Sequence, residues 1–319
     1  MTAFYDRFLF ALVFLCTRVR FNRLIDRSQR DAGQRLNYIK PETFRDKFLW
    51  RKIFDRNPVF VRTCDKLAAQ RYAREKISSI QTAKLIWRGY DPDEISDEML
   101  ADSAVLKANC GSGQAIVITN GTPDRAEFTK RVRYWMSKAP YGRHLGEWPY
   151  ALGDNCLVLE RLLTTQGRPV ELEYKFHVTS GRTACIVVRL GSGAGKAIFL
   201  VLDRQGNAWT VTKTGASDPI DFELPVEFCD MRTMAEKLAE DLDYVRVDLY
   251  LTDDGIYFSE LTVFPSSGGG KLGQRDLEEL RNTQWDIRHS WFLSTPQRGW
   301  RRAYANALRR YLNQKEATR

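Results

Sequence analysis

The segment Tyr244-Val-Arg-Val-Asp-Leu-Tyr-Leu-Thr-Asp-Asp-Gly-Ile-Tyr-Phe-Ser-Glu-Leu-Thr-Val-Phe-Pro265 has the pattern of two β-strands joined by a tight turn. Asp253-Asp254-Gly255 suits a three-residue hairpin loop, with glycine in the left-handed conformation that such a loop needs. A loop of this length places Asp248 directly opposite Glu260. Because a strand directs alternate side chains to opposite faces, the two carboxylates then project from the same face of the sheet.

Two carboxylates that face each other across a strand pair repel and destabilise the sheet, so this face needs positive charge. A divalent cation with oxygen ligands is one solution. Arg246 and Thr262 lie opposite each other on the same face, which makes a candidate site for handling phosphate. The alternative is a half-exposed hairpin in which Glu260 forms a surface salt bridge with Arg246. A slip of one residue would also separate Asp248 from Glu260.

The composition is that of a folded protein with anionic partners. The chain has 319 residues, of which 43% are hydrophobic and 12% aromatic, enough for two modest domains or one large one with appendages. The net charge of +9 favours nucleotides, phosphorylated or uronic-acid sugars, nucleic acid or a membrane surface as partners. The six isolated cysteines contain no Cys-x-x-Cys pair, and the three histidines lie far apart, which disfavours zinc and redox sites. Isolated thiols are typical of a reducing compartment such as the cytoplasm.

Two glycine-rich segments are candidates for contact with phosphate. Gly111-Ser112-Gly113 lies between two predicted strands, whereas P-loop and Rossmann glycines precede a helix. A glycine-rich hairpin can still cover phosphates while Lys107, on the preceding strand, supplies charge; an ordinary turn is the alternative. The segment Pro265-Ser-Ser-Gly-Gly-Gly-Lys271 follows the acidic hairpin and is placed to hold an anionic intermediate, with Lys271 as a catalytic candidate. A flexible exit loop is the alternative there.

The order of predicted elements indicates an α+β fold rather than a doubly wound sheet. Residues 1–80 have helical patterns, including a capping box at Thr43-Phe-Arg-Asp46. Antiparallel strands mixed with separate helices follow over residues 81–290. The remaining residues, 291–319, form a basic helical tail.

The terminal segments each allow two interpretations. The apolar run Phe8–Cys16 is too short to span a bilayer and predicts an amphipathic helix that packs on the domain or lies on a membrane surface. Residues 298–312 predict a basic amphipathic helix with the same two alternatives.

Taken in order, several segments resemble the TupA-like branch of the ATP-grasp superfamily. They run from about residue 36 to about residue 272 and so cover most of the chain. The segments that carry the resemblance are Lys40-Pro-Glu-Thr-Phe-Arg-Asp-Lys-Phe-Leu-Trp50, Asp55-Arg-Asn-Pro58, Asp65-Lys66, Leu106-Lys-Ala-Asn-Cys-Gly-Ser-Gly113, Glu147-Trp-Pro-Tyr150, Glu173-Tyr-Lys-Phe176, Val245-Arg-Val-Asp-Leu-Tyr250 and Glu260-Leu-Thr-Val-Phe-Pro265.

The resemblance implies an ATP-grasp fold, in which two α+β lobes clamp ATP; here they would span about 81–160 and 161–290. It also implies an ATP- and Mg²⁺-dependent ligase that joins a carboxylate to an amine through an acyl phosphate. This branch is associated with teichuronopeptide and other cell-surface polysaccharide synthesis. The carboxylate would then belong to a uronic-acid sugar or a glutamate, and the amine to an amino acid or amino sugar. The expected location is the cytoplasm, including the inner face of the membrane, and no nucleic acid is expected as a partner.

The resemblance also implies roles for individual residues. Lys66 and Lys107 would contact nucleotide and phosphates, the glycine loop would cover the triphosphate, and Glu173 would approach the ribose. The full set that it assigns to nucleotide binding is Lys66, Lys107, Gly111, Ser112, Gly113, Glu160, Leu163, Glu173 and Lys175. Glu160 and Leu163 would form the adenine hinge, and Lys175 would face phosphate. Glu173 stands where this branch often has Asp.

For the reaction itself, the resemblance implies that Arg246 stabilises the transferring phosphoryl group and that Asp248 and Glu260 hold magnesium. Thr262 is the third residue of this predicted metal site; it stands where most of the superfamily has Asn, and this branch shares the threonine. Two other functions remain open at this point. One is a kinase on the same scaffold that phosphorylates a sugar hydroxyl. The other is a non-catalytic protein that binds anionic glycans, which the intact acidic and basic site residues disfavour.

Overall fold

The structure is a computed structural model that describes residues 2–119, 121, 123–138, 140–191, 198–213, 222–268 and 284–317. Helices and mostly antiparallel sheets alternate along these residues, which confirms the α+β prediction. The helices before the first strand are α1 (Thr2–Arg20), α2 (Asn22–Ala32), α3 (Phe44–Phe54), α4 (Val59–Cys64) and α5 (Lys66–Lys76). The predicted capping box at the start of α3 is present, with Thr43 and Asp46 each accepting a backbone N–H of the other.

A smaller sheet, four-stranded over the described part of the chain, has the order β2-β5-β3-β4. Its strands are β2 (Leu85–Gly89), β3 (Ala104–Ala108), β4 (Ala115–Ile118) and β5 (Leu157–Arg161). Helices α6 (Asp97–Ala101) and α7 (Arg125–Met136) accompany this sheet and bury Leu100, Phe128 and Val132 with it in a separate small core. The hairpin of β3 and β4 contains the first glycine-rich segment, as predicted.

A larger sheet, seven-stranded where the structure describes the chain, has the order β1-β13-β12-β8-β9-β10-β11. The strands that complete the numbering are β1 (Gln81–Thr82), β6 (Thr164–Thr165), β7 (Arg168–Pro169), β8 (Leu172–Thr179), β9 (Arg182–Leu190), β10 (Ile198–Leu202), β11 (Ala208–Lys213), β12 (Tyr244–Thr252) and β13 (Gly255–Thr262). Strands β6 and β7 form a separate two-stranded ribbon. Helix α8 (Phe228–Leu238) packs on the larger sheet through Met231, Ala235 and Leu238, which are fully buried. The division of the chain at residues 80, 160 and 290 stays a prediction.

The hairpin of β12 and β13 has the predicted pairing but not the predicted loop. Asp248 pairs with Glu260 and Arg246 with Thr262, as the charge pattern indicates. However, Thr252 already pairs with Gly255, so the loop has two residues, and the three-residue loop was wrong. The register then shifts by one between Asp248 and Leu249, where a β-bulge at Ser259 restores the pairing of the two carboxylates.

The C-terminal helices are α9 (Trp291–Ser294) and α10 (Gly299–Ala317). Tyr304 and Leu308 of α10 are fully buried, so this helix packs on its own protein. The Tyr304 hydroxyl donates to the carbonyl of Ile39 at 2.8 Å and accepts from the indole of Trp50 at 3.1 Å. The C-terminal helix therefore closes the core that the N-terminal helices begin.

Helix α3 attaches the N-terminal helices to the larger sheet. Its Arg51 is fully buried and pairs with Asp243 at 2.7 Å, immediately before β12. The same guanidinium donates to the carbonyls of Tyr244 and Val263 at 3.0 and 3.1 Å, which lie beside the start of β12 and the end of β13. A buried charge is tolerated only when it is paired and hydrogen-bonded, as Arg51 is here.

Lys52, the next residue of α3, holds the segment that leaves β13. Its ammonium donates to the carbonyl and hydroxyl oxygens of Ser267 at 2.9 and 2.7 Å. The carboxylate of buried Glu147 lies 3.8 Å from the same nitrogen. Ser266 and Ser267 both have left-handed backbone conformations, with φ of 49° and 54°, which are uncommon for residues other than glycine. The contacts of Lys52 help to stabilise this conformation.

Burial lowers the pKa of Lys52 to about 8, although Glu147 acts in the opposite direction. At a solution pH between about 8 and 10.5, Lys52 keeps its proton in the unfolded chain but has lost it in the folded protein. The free energy of unfolding of the native protein should therefore rise with pH in this window relative to Lys52→Met, by up to about 3 kcal/mol. Urea unfolding at pH 7.5, 9 and 10.5 measures the difference. Parallel curves for the two proteins would contradict the assignment, and substitution of exposed Lys84 by Met is the matched control.

Candidate functional site

Three adjacent strands of the larger sheet bring the predicted acidic and basic residues to one face. The pairing of β8 with β12 places Lys175 opposite Asp248, and the pairing of β12 with β13 places Asp248 opposite Glu260. Lys175, Asp248 and Glu260 thus form a row across the sheet. Glu173 and Arg246 lie on the same face, because each is two residues from a member of this row.

Arg246 lies between the two carboxylates. Its Nε donates to Asp248 Oδ1 at 2.6 Å, and its Nη2 donates to Asp248 Oδ2 at 2.6 Å. Nη2 also contacts Glu260 Oε1 at 2.8 Å and Thr262 Oγ1 at 3.1 Å. Thr262 in turn donates to Glu260 Oε1 at 2.9 Å. Glu260 therefore pairs with Arg246, as in the salt-bridge alternative, but the pair lies within a largely buried cluster rather than on a half-exposed hairpin.

Lys175 completes this cluster from β8. Its ammonium lies 2.7 Å from Asp248 Oδ2 and 2.6 Å from Glu173 Oε2. The Asp248 side chain is fully buried, whereas about a third of the Glu260 side chain (34%) is exposed. Of these two carboxylates, Glu260 is therefore the more accessible to a ligand on this face of the sheet.

The cluster controls the protonation of both carboxyls. Burial raises the pKa of Glu260, but the charges of Arg246, Lys66 and Lys175 outweigh burial and hold its pKa at about 2. Burial raises the pKa of Asp248, and Arg246 and Lys175 oppose that effect. Glu260 is consequently an anion at neutral pH and able to act as a hard oxygen ligand.

The smaller sheet contributes a second pair of charges. Lys107 on β3 lies 2.8 Å from the carboxylate of Glu160 on β5. The other oxygen of Glu160 accepts from the amide of Gln70 at 2.6 Å. Glu160 is almost fully buried, and the pair fixes the direction of the Lys107 ammonium on the sheet face.

Lys66, at the start of α5, contacts the end of β3 and the glycine-rich loop of the smaller sheet. Its ammonium donates to the carbonyls of Ala108 and Gly111 at 3.0 and 2.8 Å and so holds the glycine-rich loop. Burial lowers the pKa of Lys66, and the negative charge of Glu260 opposes this.

The remaining predicted residues are less defined by contacts. Gly111 is buried, whereas Ser112 and Gly113 are exposed, and Gly113 has a φ of 71° that favours glycine. Leu163 follows β5, and its carbonyl accepts from the backbone of Val170 at 3.1 Å. Lys271 lies outside the described residues.

Sequence reasoning missed Gln70 and Lys52. Gln70 lies four residues after Lys66 on α5, which places both side chains on one face of the helix, so this spacing could have indicated it. Lys52 belongs to a helix that is buried on almost every side, and its role depends on a contact with Ser267, 215 residues away. No local pattern in the sequence reveals such a contact.

The residues present suit a magnesium ion that is shared with a nucleotide. Among the residues that the structure describes, no group of three or more His, Cys, Asp or Glu side chains converges on one point. Mg²⁺ in nucleotide sites takes one or two carboxylates and completes its octahedron with phosphate oxygens and water. Asp248 and Glu260, with Thr262 beside them, provide that partial set.

Comparisons with known proteins identify the family of the chain. The family model described as TupA-like ATPgrasp matches residues 46–280. A comparison with curated proteins finds no match. Among solved structures, the chain is similar to D-alanine–D-alanine ligase from Bacillus anthracis, with 16% identity, a TM-score of 0.40, and coverage of 68% of this chain and 61% of that one.

Two further solved structures show a similar degree of likeness. The ATP-grasp ligase PsnB in complex with a minimal precursor has 11% identity and a TM-score of 0.41, and the match covers 83% of this chain and 69% of that one. L-amino acid ligase from Bacillus licheniformis has 14% identity and a TM-score of 0.41, and the match covers 70% of this chain and 49% of that one. These similarities concern the fold. The family model covers well over half of the chain, and the chain therefore belongs to the TupA-like ATP-grasp family.

Proposed function

We propose that this protein is an ATP-dependent carboxylate–amine ligase that forms an amide through an acyl phosphate. The observation that supports this most is the cluster of Arg246, Asp248, Glu260 and Lys175 on one sheet face, with Lys66 and the glycine-rich loop opposite. Such a face can bind the phosphates of ATP and a cation together. ATP and Mg²⁺ are the proposed cofactors.

In the proposed reaction, a substrate carboxylate oxygen attacks the γ-phosphorus of ATP, and the bond to the β-phosphate breaks, releasing ADP. The amine then attacks the carbonyl carbon of the acyl phosphate and displaces inorganic phosphate. A magnesium ion held by Asp248 and Glu260 would neutralise phosphate charge. Phosphoryl transfer depends chiefly on positioning and on such charge stabilisation.

The residues of the chain have separate parts in this scheme. Lys66 and Lys107 hold phosphates, and backbone N–H groups of the Gly111–Gly113 loop cover them. Arg246 now neutralises both carboxylates. Once these ligate a cation, its guanidinium is free to donate to the transferring phosphoryl oxygens. Glu160 and Leu163 line the adenine, Glu173 approaches the ribose, Lys175 faces phosphate, and Lys271 contacts the intermediate.

For the substrates, we propose a uronic-acid sugar or a glutamate-type carboxylate of cell-surface polysaccharide synthesis, with an amino acid or amino sugar as the amine. Support comes from the family and from the net charge of +9, which favours anionic partners. The proposed location is the cytoplasm, which the proposed use of ATP supports.

We also propose that α1 holds the enzyme peripherally at an anionic membrane surface. Five apolar residues at helical spacing form an exposed stripe, called here the α1 stripe: Phe4, Phe8, Leu12, Leu15 and Val19, which are 81%, 63%, 47%, 60% and 80% exposed. Arg7, Arg18 and Arg20 of the same helix supply the positive charge that such helices use toward anionic lipids. Within the described residues, no helix is long and apolar enough to cross a membrane.

Ligase chemistry predicts a hydroxamate product. The purified protein is incubated with ATP, Mg²⁺, hydroxylamine and a panel of uronic-acid sugars and glutamates. We expect ADP release together with a hydroxamate of one carboxylate, because hydroxylamine intercepts acyl phosphates. Mass spectrometry identifies the product. A stable phosphorylated sugar without hydroxamate would instead establish the kinase alternative and overturn the proposal.

The same assay tests Arg246. Arg246→Ala should lower turnover by about 10²- to 10³-fold, because a charge that stabilises the transferring group is lost. Arg246→Lys should retain part of the activity. Arg182→Ala, an exposed arginine on β9 of the same sheet, is the matched control and should leave turnover unchanged. Near-normal turnover in Arg246→Ala, with a normal fold by circular dichroism, would exclude the catalytic role.

Liposome flotation tests the α1 stripe. The protein should float with vesicles that contain an anionic phospholipid and remain behind with neutral ones. Substitution of Phe8 and Leu15 by Ser should reduce the partition coefficient roughly tenfold or more, because apolar area is lost from the contact. The control carries Ser at Tyr134 and Val226, which are 60% and 94% exposed but lie elsewhere. A native protein that stays wholly in solution would end the membrane proposal.

A further inference from the structure

A cavity of about 480 Å³ lies between α1, α3 and the start of α10. Its lining includes none of the cluster residues Arg246, Asp248, Glu260 and Lys175. Small-molecule sites commonly have volumes of about 300–1,000 Å³. The wall is mainly apolar and comprises Leu9, Leu12, Val13, Phe21, Ile53, Phe54 and Trp300. Cys16 and Thr17 complete one side. A sugar or nucleotide placed there would leave its hydroxyl and phosphate groups without enough partners, which disfavours a polar ligand.

Three arginines, Arg20, Arg56 and Arg301, line this cavity, and its lining includes no carboxylate. Among the described residues, none of the three has an ion-pair partner within 4.0 Å. The hydrogen bonds of Arg56 end on the carbonyls of Lys52 and Asp55 at 2.9 and 3.0 Å. Arg301 donates to the carbonyl of Phe54 at 2.7 Å. The positive charge at the cavity is therefore not matched by contacting anions.

The arginines also repel one another. Burial and the charges of Arg301 and Arg20 together lower the pKa of Arg56 to about 10, against the effect of Asp55. Asp55 is the nearby acid, but it is fully buried behind the cavity wall. Burial and the charge of Asp243 raise the pKa of Asp55, so it compensates the arginines only weakly. An anion at the cavity would relieve this repulsion.

The cavity is continuous with the α1 stripe. Leu12 belongs to both, being 47% exposed on the helix surface and part of the cavity wall. Trp300, which is 55% exposed, borders the cavity from α10. Tryptophan is common where an apolar region meets a polar one, as at a membrane interface. A chain that leaves a lipid surface at the stripe would therefore reach the cavity without crossing polar protein surface.

We propose that this cavity binds an anionic lipid, with its hydrocarbon chain against the apolar wall and its phosphate head against Arg20, Arg56 and Arg301. The occupant is a single lipid molecule and not the bilayer as a whole. The apolar wall excludes a free phosphate as the preferred ligand, and the arginines exclude a neutral lipid. Lipid binding at this cavity does not depend on the proposed ligase reaction.

Calorimetric titration of the full chain in the absence of vesicles tests the proposal. Three probes are compared below their critical micelle concentrations: decyl phosphate, decyl glucoside with the same chain and a neutral head, and inorganic phosphate. We expect decyl phosphate to bind saturably with one-to-one stoichiometry. The other two probes should not bind, or should bind at least tenfold more weakly. Equal binding of decyl glucoside would overturn the role of the arginines. Equal binding of inorganic phosphate would overturn the role of the apolar wall.

Two pairs of variants locate the binding. Leu12→Trp narrows the cavity and should abolish binding, whereas Leu15→Trp, on the same helix but outside the wall, should not. Arg20→Glu should weaken decyl phosphate binding about tenfold, and Arg23→Glu, an exposed arginine outside the cavity, should not. Circular dichroism confirms that each variant folds. Undetectable binding by the native protein, or equal binding by Leu12→Trp, would contradict the proposal.

Discussion

Two carboxylates on neighbouring strands, Asp248 and Glu260, cannot face each other without positive charge between them. In the structure, the Arg246 guanidinium supplies this charge through four hydrogen bonds to Asp248, Glu260 and Thr262. The surrounding elements support this arrangement. Arg51 of α3 is hydrogen-bonded beside the start of β12 and the end of β13, and the positive charge of Lys66 on α5 helps to lower the pKa of Glu260. In the proposed reaction, Asp248 and Glu260 would hold a cation that is shared with ATP, and that cation would then neutralise their charge in place of Arg246.

The strand pairing of this cluster was predicted correctly, but from a three-residue loop that the structure does not have. The loop has two residues, and the bulge at Ser259 supplies the one-residue offset that the third loop residue was expected to supply. Such a bulge depends on how the strands pack and twist rather than on a local motif.

The contacts between distant segments could not be predicted from the sequence either. Helix α3 was predicted with its capping box, but its buried contacts to Asp243 and Ser267 join residues about 200 positions apart. The amphipathic pattern of the terminal helices could not show whether they pack on the protein or bind a membrane, because both use the same apolar face. The structure buries Tyr304 and Leu308 of α10 while it leaves the α1 stripe exposed.

The most direct test of the central claim is calorimetric titration of ATP into the protein with and without Mg²⁺, for the native chain and for Glu260→Gln. If Asp248 and Glu260 hold a cation that ATP shares, native binding should be clearly tighter with Mg²⁺, and the substitution should remove most of that difference. Native ATP binding that is indifferent to Mg²⁺, or an unchanged Mg²⁺ effect in Glu260→Gln, would contradict the account.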